Sequence, residues 1–218
     1  MATDSPPADL SDESETISLV RQAAGGDQQA WARLLARHRD RLSRMVAVRM
    51  DRRLQGRIDP SDVIQEACVV AAKQISAYAA KPTMPFYLWL RWITGQRLID
   101  QHRRHLGAKA RGADREISHF RGEFPDATSA VLAAQFLGKL SSPSQNAIRV
   151  EQTIHLHDAL ISLDPLDREI LALRHFEQLS NGEAAQVLGL DKSAASKRYA
   201  RALMRLRDVL LPQMGSGL

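Results

Sequence analysis

The sequence is poor in the residues that disulfide-rich and all-β proteins depend on. It contains a single cysteine, Cys68, so no internal disulfide is possible. Aromatic residues make up only 5% of the chain, and abundant Ala, Leu and Arg favour helix over sheet. No apolar run is long enough to span a membrane, and the N-terminal segment MATDSPPADLSDESET lacks a signal-peptide core. We therefore expect an all-α protein that lies in the cytoplasm.

The chain also lacks the residue patterns of most enzymes. No Gly-rich phosphate-binding loop occurs. His102 and His105 share a helix face but have no ligand partners of the right type, and His155 and His157 are two residues apart and point in different directions. We therefore expect no enzymatic activity, no catalytic residue, no metal and no cofactor.

Residues 179–211, LSNGEAAQVLGLDKSAASKRYARALMRLRDVLL, carry the start and stop signals of two helices. Ser180 and Glu183 form a capping box at the start of the first helix. Gly189 ends that helix, because glycine adopts the left-handed backbone conformation at little cost. Asp191 can cap a second helix directly afterwards. Two helices joined by a short turn containing glycine are typical of a helix-turn-helix.

The second of these helices has two different faces. One is an apolar stripe that we expect to be buried: Ala195, Tyr199, Ala202, Leu203 and Leu206. The other has small or basic residues, as suits entry into a DNA major groove: Lys192, Ser193, Ser196, Lys197, Ala200 and Arg201. A formal net charge of +5 agrees with a nucleic-acid ligand but does not prove one. The alternative is a surface helix whose basic face is solvated.

Changes in composition divide the chain into two helical domains. Residues 1–15 are rich in Ser, Pro and Asp and are predicted to be a disordered tail. Helical periodicity covers residues 16–105 and again residues 150–212. Between them, in residues 106–149, Gly, Ser, Pro and scattered charge replace the periodicity, which predicts a flexible linker. The alternative is that a short helix within residues 129–140 docks on one of the domains.

Two segments of the first domain carry its most informative residues. Residues 59–78, DPSDVIQEACVVAAKQISAY, predict a helix that starts at an Asp cap followed by Pro. Its outward positions are Asp62, Gln65, Glu66, Val69 and Lys73. Such a polar set is ordinarily a solvated face, and it identifies no partner by itself.

The second segment, residues 85–105, reads PFYLWLRWITGQRLIDQHRRH and predicts one helix, aromatic at its start and basic at its end. Exposed aromatic rings interleaved with arginines such as Arg91 suit single-stranded nucleic acid, because bases stack on rings while guanidinium groups hold phosphates. The alternative places Trp89 and Trp92, three residues apart, in the core.

Together these segments resemble a bacterial family, the extracytoplasmic-function (ECF) sigma factors, which are exchangeable promoter-recognition subunits of RNA polymerase. Residues 59–75 resemble the family's region 2.2. Residues 85–105 resemble regions 2.3 and 2.4, with the typical Trp-Leu-Arg start and Ile-Asp-x-x-Arg-Arg end. Residues 159–210 resemble region 4. The motifs occur in the family's order and spacing, and only a linker separates the two domains.

The resemblance implies a function and a set of site residues. It implies a protein that binds core RNA polymerase and directs promoter recognition and melting of the −10 element. The clamp helices of the β′ subunit would contact Asp62, Gln65 and Glu66. The opened −10 element would contact Trp92, Gln96, Arg97, Asp100, Arg103 and Arg104. The −35 major groove would contact Lys192, Ser193, Ser196, Lys197 and Arg201.

The resemblance also implies further partners and shows two departures from the family. The β flap of polymerase and an anti-sigma factor are the additional partners. Gln96 stands where the family usually has Asn, and Gly95 where Arg is common. The alternative function is a helix-turn-helix transcription regulator that does not act as a polymerase subunit.

Overall fold

The structure, a computed structural model, describes residues 10–51, 53–54, 56–106, 132–133 and 146–214. Throughout these residues the regular elements are helices, and no strand occurs among them. The chain forms two compact units, residues 1–125 and 126–218. The prediction of an all-α fold is therefore confirmed.

The described part of the first unit contains four long helices that surround one core. They are α1 (Leu10–Ala24), α2 (Gln28–Arg49), α3 (Pro60–Ala80) and α4 (Phe86–Leu106). α3 packs most extensively on α4, and α1 packs on α2. The core contains the apolar stripe of each helix, including Leu34, Leu42, Met45, Val63, Ala67, Leu90 and Leu98. Burial of these stripes provides the main stabilisation of the unit.

Two aspartates start helices of this unit, and the sequence predicts the cap at Asp59. The Oδ1 atom of Asp27 accepts hydrogen bonds from the backbone N–H groups of Gln29 and Ala30, at 2.8 and 3.1 Å. The Oδ1 atom of Asp59 accepts from the N–H of Ser61 at 2.8 Å, and this bond lowers the pKa of Asp59. Each cap satisfies donors that have no partner within the helix.

The predicted disordered tail is wrong for residues 10–15, because α1 begins at Leu10. Asp12 and Glu13 lie in its first turn, where negative charge is favourable at the positive end of the helix dipole. Arg37 of α2 forms ion pairs with Asp12 and with Glu15, the latter at 2.7 Å. The acidic residues that suggested disorder therefore stabilise the start of a helix. Residues 1–9 lie outside the described residues.

The predicted linker, residues 106–149, is described only in part. Leu106 is the last residue of α4, and the next helix whose bounds are described begins at Asn146. Between them the structure describes Leu132 and Ala133, which are helical and buried. Residues 132–133 and 146–149 of the predicted linker are helical, so the prediction of a flexible linker is wrong for them. Residues 107–131 and 134–145 lie outside the described residues, so their role as a tether stays a prediction.

The second unit contains the predicted helix-turn-helix. From residue 146 onward, its described α-helices are α5 (Asn146–Ser162), α6 (Pro165–Leu171), α7 (Asn181–Leu188) and α8 (Lys192–Met214). The capping box of Ser180 and Glu183 is present at the start of α7. Gly189 follows α7 with a φ of 64°, in the left-handed conformation expected of a helix-ending glycine. The structure therefore confirms the boundaries of both helices around this turn.

A π-helical turn, Ala172–Phe176, connects α6 to the helix-turn-helix. The N–H of Glu177 donates to the carbonyl of Ala172 at 3.0 Å, which is the five-residue spacing of a π-turn. Gln178 then adopts a φ of 57°. This left-handed conformation costs a non-glycine residue roughly 1–2 kcal/mol.

We expect Gln178→Gly to stabilise the second unit by about 0.5–1 kcal/mol, because glycine removes most of the left-handed cost while adding some unfolded-state entropy. Gln186→Gly, within α7, is the matched control and should destabilise the unit by about 1 kcal/mol. Hydrogen exchange of α7 amides measures both effects. Equal destabilisation by the two changes would contradict the expectation.

Asp167 of α6 is buried and joins α6 to α8 through two arginines. Its Oδ1 atom accepts from Nη1 of Arg198, and its Oδ2 atom accepts from Nη1 of Arg205, both at 2.6 Å. The carboxylate side chain is only 4% exposed. Two charge-assisted bonds therefore stabilise a charge that would otherwise be costly to bury.

Candidate functional site

A polar face of α3 contains Asp62, Gln65, Glu66 and Val69, and all four residues are exposed. Their spacing of three, four and seven residues places them on one side of the helix. The opposite side is buried through Val63, Ala67 and Ala71. The outward positions predicted from the sequence are therefore confirmed. We call this set of four residues the α3 polar face.

Glu66 of the α3 polar face is bonded to α4. The Nε2 atom of Gln101 donates to both carboxylate oxygens of Glu66, at 3.0 and 3.2 Å. Gln101 is buried although Glu66 is exposed. The orientation of an exposed carboxylate on α3 is thus set by a buried amide on α4.

The first half of α4 is enclosed by the core. Residues 86–91 are all buried, including Trp89, which is 8% exposed. The Trp89 ring stacks on Tyr78 with centroids 4.4 Å apart. The Tyr78 hydroxyl donates to the carbonyl of Met84 at 2.7 Å, and burial raises the pKa of Tyr78 to about 12. Trp89 is therefore a core residue, as the alternative interpretation held.

Arg91 does not belong to an exposed basic surface, because it is buried in the same half of α4. The sequence grouped it with Trp92 and the arginines that follow. Six consecutive buried residues on one helix exceed what a single amphipathic stripe can bury. α4 therefore begins inside the unit, and its polar residues there are enclosed along with its apolar ones.

The second half of α4 emerges from the core and presents a mixed aromatic and basic surface. Trp92 is 40% exposed, although it follows Trp89 by only three residues. The other predicted −10 residues are half-buried or exposed: Gln96, Arg97, Asp100, Arg103 and Arg104. At about 100° per residue, these side chains and Trp92 lie within roughly 140° of arc. We call these six residues the α4 surface.

Within the α4 surface, Arg97 forms an ion pair with Asp100 at 3.0 Å, three residues along the helix. Such a pair is worth only a few tenths of a kcal/mol, about 0.2–0.5. It holds the Arg97 guanidinium against Asp100 on this surface. An aromatic ring, an amide and several arginines on one surface can together stack a base and hold its phosphate.

On the opposite side of α4, His102 forms a hydrogen bond with the segment that follows α2. The backbone N–H of Asp51 donates to Nε2 of His102 at 3.4 Å, and Asp51 forms an ion pair with Arg53 at 2.7 Å. Burial lowers the pKa of His102, and the nearby Asp51 charge opposes this shift. The acceptor role of Nε2 requires a neutral imidazole.

The His102 contact predicts a pH dependence of stability. Because its folded pKa is lowered, the unfolded chain takes up the proton more readily below the ordinary value of 6.5. Stability should therefore be fully present above that value and fall as the pH drops toward the lowered pKa. In urea titrations between about pH 5 and 8, the advantage of the wild type over His102→Gln should shrink with falling pH. A constant difference would contradict this assignment.

The predicted −35 residues on the outward face of α8 are all exposed: Lys192, Ser193, Ser196, Lys197 and Arg201. The Asn181 side chain of α7 donates to the carbonyl of Lys192 at 2.7 Å. A Cβ at Gly182 would lie 3.2 Å from Cε of Lys192. The beginnings of α7 and α8 are therefore in contact, and this contact supports the leading turn of the exposed face.

The buried stripe of α8 is narrower than predicted. Ala195, Ala202 and Leu206 are buried, and Tyr199 is half-buried beside the Arg174 guanidinium. Leu203 is wrongly included in the prediction, because it is 38% exposed. Its position is rotated about 80° from Ala195, so it lies at the edge of the stripe.

The comparisons with known proteins decide the family. The model of the family described as ECF sigma factor matches residues 13–210. The chain belongs to the ECF sigma factor family. SigD of Mycobacterium tuberculosis, an ECF RNA polymerase sigma factor, is 27% identical over 194 residues, covering 89% of this chain and 83% of SigD. The RNA polymerase sigma factor CnrH of Cupriavidus metallidurans is 28% identical over 194 residues, covering 88% of this chain and 92% of CnrH.

A solved structure of CnrH in complex with the cytosolic domain of CnrY has the same fold as this ECF sigma factor. The TM-score is 0.52 at 24% identity, and the match covers 90% of this chain and 97% of that chain. The family places the function in transcription initiation, with RNA polymerase and promoter DNA as partners. The alternative, a regulator that does not act as a polymerase subunit, is not favoured.

The described residues of this ECF sigma factor contain neither a membrane-spanning helix nor a cluster of metal-binding side chains. None of the described helices is long and apolar enough to cross a membrane. No group of three or more His, Cys, Asp or Glu residues suited to a metal ion occurs in the described part of the chain. Neither result changes the set of candidate site residues.

Sequence reasoning missed the residues that fasten the candidate surfaces of this ECF sigma factor to their neighbours. Gln101 and Asp51 are examples, because each bonds to a residue 35 or more positions away. The local sequence around Asp51 contains no signal for its contact. A polar residue at an otherwise buried position of α4 was the one available indication for Gln101.

Proposed function

We propose that three surfaces of this ECF sigma factor divide the work of transcription initiation. The α3 polar face binds core polymerase, the α4 surface binds the opened −10 element, and the exposed face of α8 binds the −35 element. The observation that carries the proposal is the 40% exposure of Trp92 on the same helix surface as Arg97, Arg103 and Arg104, three residues after the buried Trp89. A ring held at the surface in this way suits a base taken out of a duplex.

Polymerase binding is assigned to the α3 polar face because of its composition and rigidity. Asp62, Gln65 and Glu66 present negative charge and amide groups, and the exposed Val69 supplies an apolar contact beside them. The opposite side of α3 is buried, so the face is fixed before binding. We assign the clamp helices of β′ to this face and the β flap to the second unit.

Promoter contacts are assigned to the two basic surfaces. On the α4 surface, Trp92 stacks a base of the −10 element, and Arg103 and Arg104 neutralise its backbone. On α8, Lys192, Lys197 and Arg201 lie in or beside the −35 major groove, and Ser193 and Ser196 allow close approach. Sequencing of transcripts made on overexpression would define both elements.

Regulation and location follow the same proposal. CnrH is bound to the cytosolic domain of CnrY in its solved structure. By analogy, we assign to this chain a cytoplasmic location and an anti-sigma factor as a partner. The chain has no enzymatic activity of its own in this proposal, since catalysis belongs to the polymerase.

The polymerase assignment is tested by the double change Gln65→Ala with Glu66→Lys. We expect the affinity for core polymerase to fall at least tenfold, about 1.4 kcal/mol or more, because the change reverses one charge and removes one amide. Fluorescence competition with labelled wild type measures the affinity, and circular dichroism checks the fold.

The matched control for this experiment is Glu13→Lys with Gln28→Ala, which makes the same types of change at exposed positions of α1 and α2. It should leave the affinity unchanged. If the α3 double variant assembles holoenzyme as well as the control does, the assignment of the α3 polar face is wrong.

A further inference from the structure

Glu66 lies on the α3 polar face, but its carboxylate is held from another helix. Both of its oxygens accept from one nitrogen of Gln101, at 3.0 and 3.2 Å. The Gln101 side chain is buried against α3, with 8% of the residue exposed. In the proposed function α4 binds DNA and α3 binds polymerase. A residue of α4 therefore fixes the orientation of the Glu66 carboxylate, which belongs to the polymerase-binding face.

The chemistry of the pair determines which way the amide points. An ionised carboxylate only accepts hydrogen bonds, so Gln101 must present its NH₂ group to Glu66. A hydrogen bond to a charged group is stronger than one between neutral groups. Burial keeps the Gln101 amide in one rotamer, because neighbouring side chains enclose it. Because the Gln101 amide is fixed, its hydrogen bonds restrict the rotamers of the exposed Glu66 side chain.

Order in an exposed glutamate matters for binding. A glutamate that samples many rotamers loses that freedom when a partner immobilises it, and the loss weakens the complex. A glutamate already held in one rotamer loses less. Glu66 is already held in one rotamer, since both of its carboxylate oxygens contact Gln101.

We propose that Gln101 is a positioning residue for polymerase binding, which holds the Glu66 carboxylate in the orientation that polymerase recognises. The proposal rests on the proposed function of the α3 polar face. Gln101 is buried, so it acts through Glu66 and does not contact polymerase itself.

The test measures affinity for core polymerase in two backgrounds of the full-length chain. Gln101→Leu fills the same buried position without a donor, and in the presence of Glu66 it should weaken binding about three- to tenfold. Gln101→Glu places a like charge beside Glu66 and should weaken binding further. In a Glu66→Ala background, Gln101→Leu should have no additional effect. Gln28→Leu, at an exposed position of α2, is the control and should bind as the wild type does.

The outcomes separate failure of this proposal from failure of the polymerase assignment. If Glu66→Ala leaves the affinity unchanged, the assignment of the α3 polar face is wrong. If Glu66→Ala weakens binding but Gln101→Leu acts by the same factor in both backgrounds, Gln101 has a structural role only. If Gln101→Leu has no effect beside an intact Glu66, the positioning role is likewise overturned. Urea titrations of all four combinations show which changes alter stability.

Discussion

Replacing Trp92 with alanine is expected to weaken holoenzyme binding to single-stranded −10 DNA by roughly 5- to 150-fold, which corresponds to about 1–3 kcal/mol for one stacked base. The reason is that Trp92 is 40% exposed on α4, where its ring is available for stacking. Trp92→Phe retains an aromatic ring and should recover most of the affinity. The measurement is a titration of labelled single strand into holoenzyme.

Trp89→Ala is the control for Trp92→Ala, because it removes a buried tryptophan from the same helix. Trp89→Ala should lower the free energy of unfolding by about 3–5 kcal/mol, because it removes a buried ring stacked on Tyr78. Trp92→Ala should lower it by less than about 1 kcal/mol. If Trp92→Ala unfolds the unit, or leaves single-strand affinity unchanged, the −10 assignment of Trp92 is wrong.

The ends of the helices could be predicted because their signals are local. Asp59 with Pro60, and Asp164 with Pro165, start helices through bonds to backbone N–H groups two residues away. Gly189 ends α7 through its own backbone conformation. None of these signals requires knowledge of the tertiary structure, so the sequence alone was sufficient.

Burial along α4 could not be predicted, because it depends on the position of the helix in the unit. Trp89 and Trp92 are chemically identical and only three residues apart, yet one is buried and the other is exposed. Periodicity assigns a residue to a side of the helix, but it does not show where along its length a helix leaves the core. Arg91 was misassigned for the same reason.

The polar contacts that fasten the surfaces were also beyond prediction, because their partners are distant in sequence. Gln101 bonds to Glu66 across 35 residues, and Arg205 bonds to Asp167 across 38 residues. No pattern within either helix identifies the other partner. The wrong prediction of disorder for residues 10–15 has a different cause. Their polar composition indicated disorder, but ion pairs with Arg37 of α2 stabilise them as part of α1.

The buried carboxylate of Asp167 predicts a large effect on the stability of the second unit. Replacing Arg198 and Arg205 together with methionine should destabilise this unit by about 3 kcal/mol, because a charge that is only 4% exposed then loses both partners. Arg207→Met on the same helix removes only an exposed pair with Asp208 and should change stability by less than about 0.5 kcal/mol.

A third substitution, Asp167→Leu, distinguishes the cost of burying the Asp167 charge from the loss of arginine packing contacts. Adding Asp167→Leu to the double methionine variant should recover most of the lost stability, since an apolar group can replace a buried ion pair at little cost. All three tryptophans, Trp31, Trp89 and Trp92, lie in the first unit, so their fluorescence does not report on the second. Hydrogen exchange of α6 and α8 amides gives the local free energy of opening instead. If the triple variant is no more stable than the double variant, the arginines stabilise the unit by packing and not by neutralising Asp167.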